Sequence, residues 1–273
     1  MRYFSFLLLG ISLLLVSCTN KYQKTLKSTD NRAKLEMADY YFKKKDYVRA
    51  LTLYEQIEDA FYGTPTASEI LFNSAACSFG LKQYAVAGFQ YKTYFENNAT
   101  ADKAEEALYM NAYCAYLESL EPELDQTDTY KAIETFKIFV SIFPESKYVP
   151  ECNTFLDNLR LKLSQKAYRS ARLYFDMGEY KSSIVAFENL LREYPEINQK
   201  EEVDFLIIKS HYLLAVNSVP EKQKERYENT IRAFENFKEQ YTEGNKYMKD
   251  AVELYEKSQS ALRRITKNLT KES

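Results

Sequence analysis

Ala171-Arg172-Leu173-Tyr174-Phe175-Asp176-Met177-Gly178-Glu179-Tyr180, continued at Ser183, Phe187, Leu190 and Pro195, is the stretch from which the fold is read. Two amphipathic helical patterns meet here at a short turn. Small residues, Ala171 and Ser183, fall where two helices must approach closely, and aromatic side chains fill the space beside them. The same grammar occurs at Ala38, Tyr41, Tyr47, Ala50 and Tyr54, and more loosely at Ala75, Tyr84, Ala87, Tyr91 and Tyr94.

This spacing of small, aromatic and proline positions is that of a tetratricopeptide repeat, a helix–turn–helix unit of about 34 residues. The corresponding positions Ala50, Ala87, Ala132, Ser183 and Thr230 lie 37, 45, 51 and 47 residues apart. The intervals exceed the ideal period, so the repeats are degenerate and carry insertions. The expected fold is all-α: a tetratricopeptide-repeat solenoid of about five such repeats, closed by a C-terminal capping helix. A coiled coil is the rival for so helical a chain, but prolines recur between the helices and no heptad run is sustained.

Composition agrees with helices glued by aromatic packing: 24 Tyr, 17 Phe and no Trp, with only six Gly and six Pro in 273 residues. A formal charge of −2 leaves no basic excess to neutralise a nucleic acid, so no nucleic-acid partner is expected. Glycine-rich phosphate loops, HExxH and GxSxG are absent from the sequence. The single histidine, His211, sits on an apolar helix beside Ile207, Ile208, Leu213 and Leu214 with no nucleophile next to it, and reads as a core residue. Cys77, Cys114 and Cys152 show no metal-ligand spacing and read as buried small hydrophobes. No catalytic residue, cofactor or metal is expected.

Along the chain, residues 1–17 read as a targeting segment: Arg2 supplies the positive start, and Phe4 to Val16 an apolar run short of the roughly 20 residues that span a bilayer. Leu15-Val16-Ser17-Cys18 is similar to a bacterial lipobox, which makes Cys18 the expected lipidation site. The competing readings are an ordinary secretory signal with a chance cysteine and an uncleaved membrane helix. Residues 18–30 are polar, without an apolar stripe, and read as a lipidated flexible tether. Residues 31–146 form an N-terminal half of three repeats, the third interrupted by an insertion at 118–128. Residues 147–245 form a C-terminal half, with a long helix from Lys147 to Met177 and repeats four and five. Residues 246–273 form the capping helix and tail.

A repeat stack offers a groove lined by the first helix of each pair. With Ala38, Ala75 and Ala112 at the eighth place of their repeats, the groove-facing positions include Leu35, Asp39 and Phe42 in repeat one. Phe72 and Phe79 follow in repeat two, and Tyr109, Tyr113 and Tyr116 in repeat three. Such a surface suits an extended or helical segment with apolar or aromatic anchors. An equal alternative is that these rings simply pack between neighbouring helices.

Taken together, the lipobox cysteine, the tether Tyr22-Gln23-Lys24-Thr25-Leu26-Lys27-Ser28-Thr29-Asp30, the five degenerate repeats, the capping helix and the insertion Glu121-Pro122-Glu123-Leu124-Asp125-Gln126-Thr127-Asp128-Thr129-Tyr130-Lys131-Ala132-Ile133 resemble the BamD family of outer-membrane assembly lipoproteins, most like its Bacteroidetes form. The resemblance covers nearly the whole chain. It implies a non-enzymatic subunit of the β-barrel assembly machinery, lipid-anchored in the outer membrane on the periplasmic face. It further implies that the N-terminal repeats recognise unfolded outer-membrane proteins. The C-terminal repeats, within Lys181 to Met248, would dock on a POTRA domain of a BamA-like barrel protein. The alternative function is a periplasmic tetratricopeptide scaffold for cell-envelope or division complexes.

Overall fold

The computed structural model describes residues 21–272; the targeting segment and Cys18 lie outside them. The described chain is helical, and pairs of consecutive helices repeat. They are α1 (Asn31–Lys43) with α2 (Tyr47–Ile57), α3 (Pro65–Gly80) with α4 (Tyr84–Asn97), and α5 (Ala104–Glu118) with α6 (Thr127–Ile142). A long α7 (Val149–Asp176) pairs with α8 (Tyr180–Glu193), α9 (Lys200–Val216) with α10 (Pro220–Gln240), and α11 (Met248–Glu272) follows. These are tetratricopeptide repeats. Among the described residues no helix is long and apolar enough to cross a membrane.

The ten small positions that align the repeats explain the pairing. Ala38, Ala75, Ala112, Ala171 and Ser210 in the first helices are fully buried, as are Ala50, Ala87, Ala132, Ser183 and Thr230 in the second. Where the small residue is polar, its hydroxyl is satisfied: Ser183 donates to Ser210 Oγ (2.9 Å), Ser210 to the Leu206 carbonyl (2.7 Å), and Thr230 to the Arg226 carbonyl (3.1 Å). Burying an unpaired hydroxyl would oppose the fold, so these bonds are what let Ser and Thr stand in for Ala. At Gly88 the approach is closer still. A Cβ there would meet Cys114 Cβ at 3.1 Å, and Asn111 Nδ2 donates to the Gly88 carbonyl at 2.8 Å.

The turn between paired helices is equally regular. Lys45, Lys82 and Gly178 each stand seven positions after the small residue of the first helix, with φ of 59°, 61° and 80°. In each, the left-handed residue donates to the carbonyl three back: Lys45 to Phe42, Lys82 to Phe79 and Gly178 to Phe175. The next residue donates five back: Asp46 to Tyr41, Gln83 to Ser78 and Glu179 to Tyr174. This Schellman closure satisfies the orphan carbonyls of the first helix and turns the chain straight into the second. In repeats three and five the same small residues are 20 positions apart, not 12, and the turn is longer. The end of the third-repeat turn is fastened from inside: Gln126 is buried, and Thr129 donates to its Oε1 at 2.8 Å.

One local feature differs from the sequence reading. Residues 21–26, within the stretch read as tether, are helical, and the Tyr22 ring is buried edge-on against Tyr41 at 5.4 Å, under the Arg49 guanidinium. Fewer than two turns of helix leave no periodic stripe to read; Tyr22 and Leu26 pack them against the core of repeat one. The second helix of repeat one stops at Ile57 and tightens into a 3₁₀ turn at Asp59–Phe61, ahead of Gly63 at φ 75°.

The chain divides into two compact units. The first runs to Leu120 and resumes at Leu124–Leu159; the second takes Glu121–Glu123 and the chain from Arg160. The division therefore falls inside α7. Each unit has its own core, exemplified by Phe136, Phe139 and Leu159 in the first and by Phe187, Leu190 and Val203 in the second.

Candidate functional site

The expected groove residues lie on α1, α3 and α5, all in the first unit. On α1, Leu35 and Phe42 are half-buried against the core of repeat one, Phe42 meeting Tyr47 and Tyr54 at 6.3 and 6.4 Å. Asp39 is committed inside the repeat: the buried Tyr54 hydroxyl donates to its Oδ1 at 2.6 Å, and Asn73 Nδ2 donates to that hydroxyl at 3.2 Å. Burial and the adjacent carboxylate both push the Tyr54 phenol upward, so it stays a neutral donor.

Phe72 and Phe79 diverge although both belong to α3. Phe72 is buried between Tyr91 and Tyr94, with the Lys103 ammonium 4.5 Å from its ring centre. Phe79 meets Tyr84 at 5.5 Å and reaches Tyr113 on α5 at 6.0 Å. From Tyr113 the rings form a ladder along α5: Tyr109 at 6.1 Å and 6°, Tyr116 at 6.2 Å and 13°. The structure thus brings Phe79, Tyr109, Tyr113 and Tyr116 into one run of ring contacts and leaves Leu35, Asp39, Phe42 and Phe72 outside it, Phe72 sharing a core cluster with Phe79.

The start of α7 packs against this ladder. Tyr148 stacks on Tyr109 at 4.2 Å, Phe155 lies 4.5 Å from Tyr116 and 5.4 Å from Tyr113, and the Tyr109 hydroxyl donates to Glu151 at 2.8 Å. Tyr109 is consequently buried, whereas Tyr113, Tyr116 and Phe79 keep a partly exposed edge. The floor of the ladder is interhelical packing, and the rim formed by Phe79, Tyr113 and Tyr116 is partly exposed. Tyr148 and Phe155 belong to the site although sequence reading did not select them. Their signal was their place at the start of the helix that follows repeat three, Tyr148 just before it and Phe155 on its second turn.

The second unit holds a cleft of about 440 Å³ lined by Glu188 of α8, Asp204 and His211 of α9, and Arg232, Asn236 and Gln240 of α10. His211, read as a core residue, is half-buried at its wall. Burial first and the Arg232 charge second hold its imidazole below the usual value, while burial holds the Asp204 carboxyl above its own. Asp204 accepts from the Tyr241 hydroxyl at 2.8 Å, which partly offsets that rise.

With one histidine in the chain, a prediction follows for stability near neutrality. The folded state prefers neutral His211, so its contribution is complete above the unfolded value of about 6.5 and is lost as pH falls from there through the lower folded value. Urea unfolding at pH 7.5 and 5.5 is expected to show the protein less stable at the lower pH, and His211→Asn is expected to flatten that difference. The Asp204 shift acts in the opposite sense, adding stability as pH falls further. An unchanged slope in the variant would remove His211 as its source.

Cys77, Cys114 and Cys152 are buried free thiols, pushed by burial up to about 12, 12 and 11. They are poor nucleophiles in that state. Among the described residues, no group of three or more His, Cys, Asp or Glu is placed to hold a metal ion.

Comparison with known proteins adds the following. Residues 28–226 match the family model YfiO, described as an outer membrane lipoprotein. The outer membrane protein assembly factor BamD of Caulobacter vibrioides is 20% identical over 114 residues, 42% of this chain. The match spans 37% of that relative's length. Among solved structures, the TPR domain of P58(IPK) is 15% identical with a TM-score of 0.40, covering 86% of this chain and 66% of that one. The TPR2AB domain of yeast Sti1, solved as a pHSP90 complex, is 12% identical with a TM-score of 0.37, covering 84% and 98%. Because the family model extends over most of its residues and reaches from the start of the first repeat into α10, this chain belongs to the YfiO family of outer membrane lipoproteins.

Proposed function

We propose that the protein is a non-enzymatic subunit of the β-barrel assembly machinery, held by a lipid on Cys18 at the periplasmic face of the outer membrane. The carrying observation is the family match over residues 28–226, which takes in the aromatic ladder of the first unit and most of the second. The name of the curated relative, an outer membrane protein assembly factor, supports the same reading.

In this reading the first unit recognises unfolded outer-membrane proteins through the exposed rim of Phe79, Tyr113 and Tyr116. Leu35, Asp39, Phe42, Phe72 and Tyr109 shape that surface from behind. Partly exposed aromatic edges suit a segment with an apolar or aromatic anchor, because an arriving ring displaces water from both sides of the contact. The second unit docks on a POTRA domain of a BamA-like barrel protein within Lys181 to Met248, a segment that contains the cleft at Asp204 and Arg232.

Affinity capture of the tagged protein from detergent-solubilised outer membrane, with mass spectrometry of what accompanies it, tests this directly. Recovery of a POTRA-containing barrel protein at near-equal amount is the expected result. Recovery of division or cell-wall proteins with no barrel partner would replace it with the scaffold function.

A further inference from the structure

The charges of this chain are unevenly distributed. Between Lys21 and Arg49 there are nine basic side chains against four acidic ones, in a protein whose formal charge is −2. The fold gathers part of that excess at one end of repeat one. Residues 21–26 lie back along α1, because Lys21, Thr25, Ala33, Glu36, Met37 and Tyr40 line one shared crevice, with Glu36 its single acidic member, and Tyr22 packs on Tyr41. Lys21 is thereby brought to the end of α1, where Lys43, Lys44 and Lys45 form the turn into α2 and the Lys44 ammonium lies 5.9 Å over the Tyr40 ring. The corresponding turn of repeat two arrives beside them, since α3 ends at Gly80 directly against the Tyr47 ring, and it adds Lys82.

All five lysines are exposed, and Val48 next to them is 62% exposed. Tyr22, Tyr41 and the Arg49 guanidinium fix the arrangement: Arg49 sits 5.5 and 5.3 Å over the two rings and pairs with Asp46 at 3.0 Å. Repeat four shows what the same turn looks like without this charge, because Gly178 stands where Lys45 stands in repeat one.

We infer that this end of repeat one is a membrane-contact surface that binds anionic lipid headgroups. Charge complementarity and the point at which the chain enters the fold select this occupant. Cys18 precedes Lys21 by three residues, which reach at most about 10 Å when extended. That is comparable to the Debye length of about 8–10 Å at moderate ionic strength. A chain anchored at Cys18 holds the lysine cluster where the negative surface potential is felt, and each lysine adds to the attraction. The surface thus fixes which end of the first repeat faces the bilayer, which the lipid alone does not do. For that orientation the inference rests on the anchored reading of Cys18; the lysine surface itself is tested without lipid.

The test is co-sedimentation of the chain from residue 18 onward, carrying Cys18→Ser, with vesicles of equimolar phosphatidylglycerol and phosphatidylcholine, and with vesicles of phosphatidylcholine alone. Binding to the anionic vesicles only, released by salt, is expected. Replacing Lys43→Gln, Lys44→Gln and Lys45→Asn together is expected to weaken it about a hundredfold, at about 1 kcal/mol per lysine. Asn serves at residue 45 because it tolerates the left-handed backbone there. Lys222→Gln with Lys224→Gln, on exposed α10, is expected to change binding less than about twofold, which controls for total charge.

Equal binding to neutral vesicles, no binding at all, or full binding by the triple variant with its helical circular dichroism intact would overturn the inference. Capture of polyglutamate in place of vesicles would also overturn it, in favour of an acidic polypeptide. None of these results touches the assembly function, which stands or falls on the captured barrel partner.

Discussion

Phe136→Ala is expected to destabilise the first unit by about 3–5 kcal/mol, the range for emptying a fully buried aromatic site. Phe136 is wholly inaccessible. Its ring meets Phe155 at 5.5 Å and Tyr116 at 6.3 Å, so it supports the floor of the aromatic ladder from the α6 side. Three helices converge there, α5, α6 and the start of α7, and none can close the void without breaking a neighbouring ring contact. A loss of this size rivals the whole stability of a typical domain, about 5–15 kcal/mol. In a repeat protein each unit depends mainly on its neighbours, so the damage is expected to be local. Hydrogen exchange should show protection falling in α5, α6 and the first turns of α7, with α8 and α9 unaffected. A uniform loss across all helices would argue for one cooperative block. Phe187→Ala, in the core of the second unit, is the reciprocal experiment and should reverse the pattern.

Why Phe136 carries so much was only partly visible beforehand. The small-residue register was largely legible, since Ala, Ser or Thr at nine aligned positions has one physical use, close helix approach, and all nine are fully buried; the tenth, Ser210, emerges only in the structure. The long α7 was legible too, because no glycine or proline interrupts it after Pro150. The turns were legible in place but not in conformation: nothing in Lys45 or Lys82 announces a left-handed residue, whereas Gly178 does.

For the site, helical periodicity assigned Tyr109, Tyr113 and Tyr116 to one face of α5, and the stacked rings share that face. It could not say what covers that face. Phe155 and Tyr148 do so, from 39 residues further along in each pairing with Tyr116 and Tyr109. Contacts at that separation depend on the length of the third-repeat turn and on where α7 begins. Asp39 illustrates the same limit: its groove-facing position was predicted from register, but its hydrogen bond to Tyr54 requires knowing which way the neighbouring helix turns.

Cys18→Ser is expected to have the largest effect on location. A serine hydroxyl cannot form the thioether to diacylglycerol. With the lipidated cysteine, each buried CH₂ contributes about 0.8 kcal/mol, and although one acyl chain holds a protein only marginally, two or more attach it stably. The lysine surface alone offers about 1 kcal/mol per charge close to an anionic bilayer. Five lysines therefore approach the contribution of a single chain at low ionic strength, but salt screens them and leaves acyl burial intact. Expressed behind an ordinary cleavable secretory leader, Cys18→Ser protein is expected to leave the membrane fraction on washing in 1 M salt, where the Debye length is about 3 Å, while the wild type stays. Intact mass should show added acyl mass on the wild-type chain beginning at residue 18 and none on the variant. If the unwashed variant still pellets with anionic membrane and the wash releases it, both attachments are present and the lipid is the stronger. Equal retention of variant and wild type after the wash, at equal unmodified mass, would mean that neither depends on Cys18 and that the family's lipid anchor has been replaced here by a protein contact.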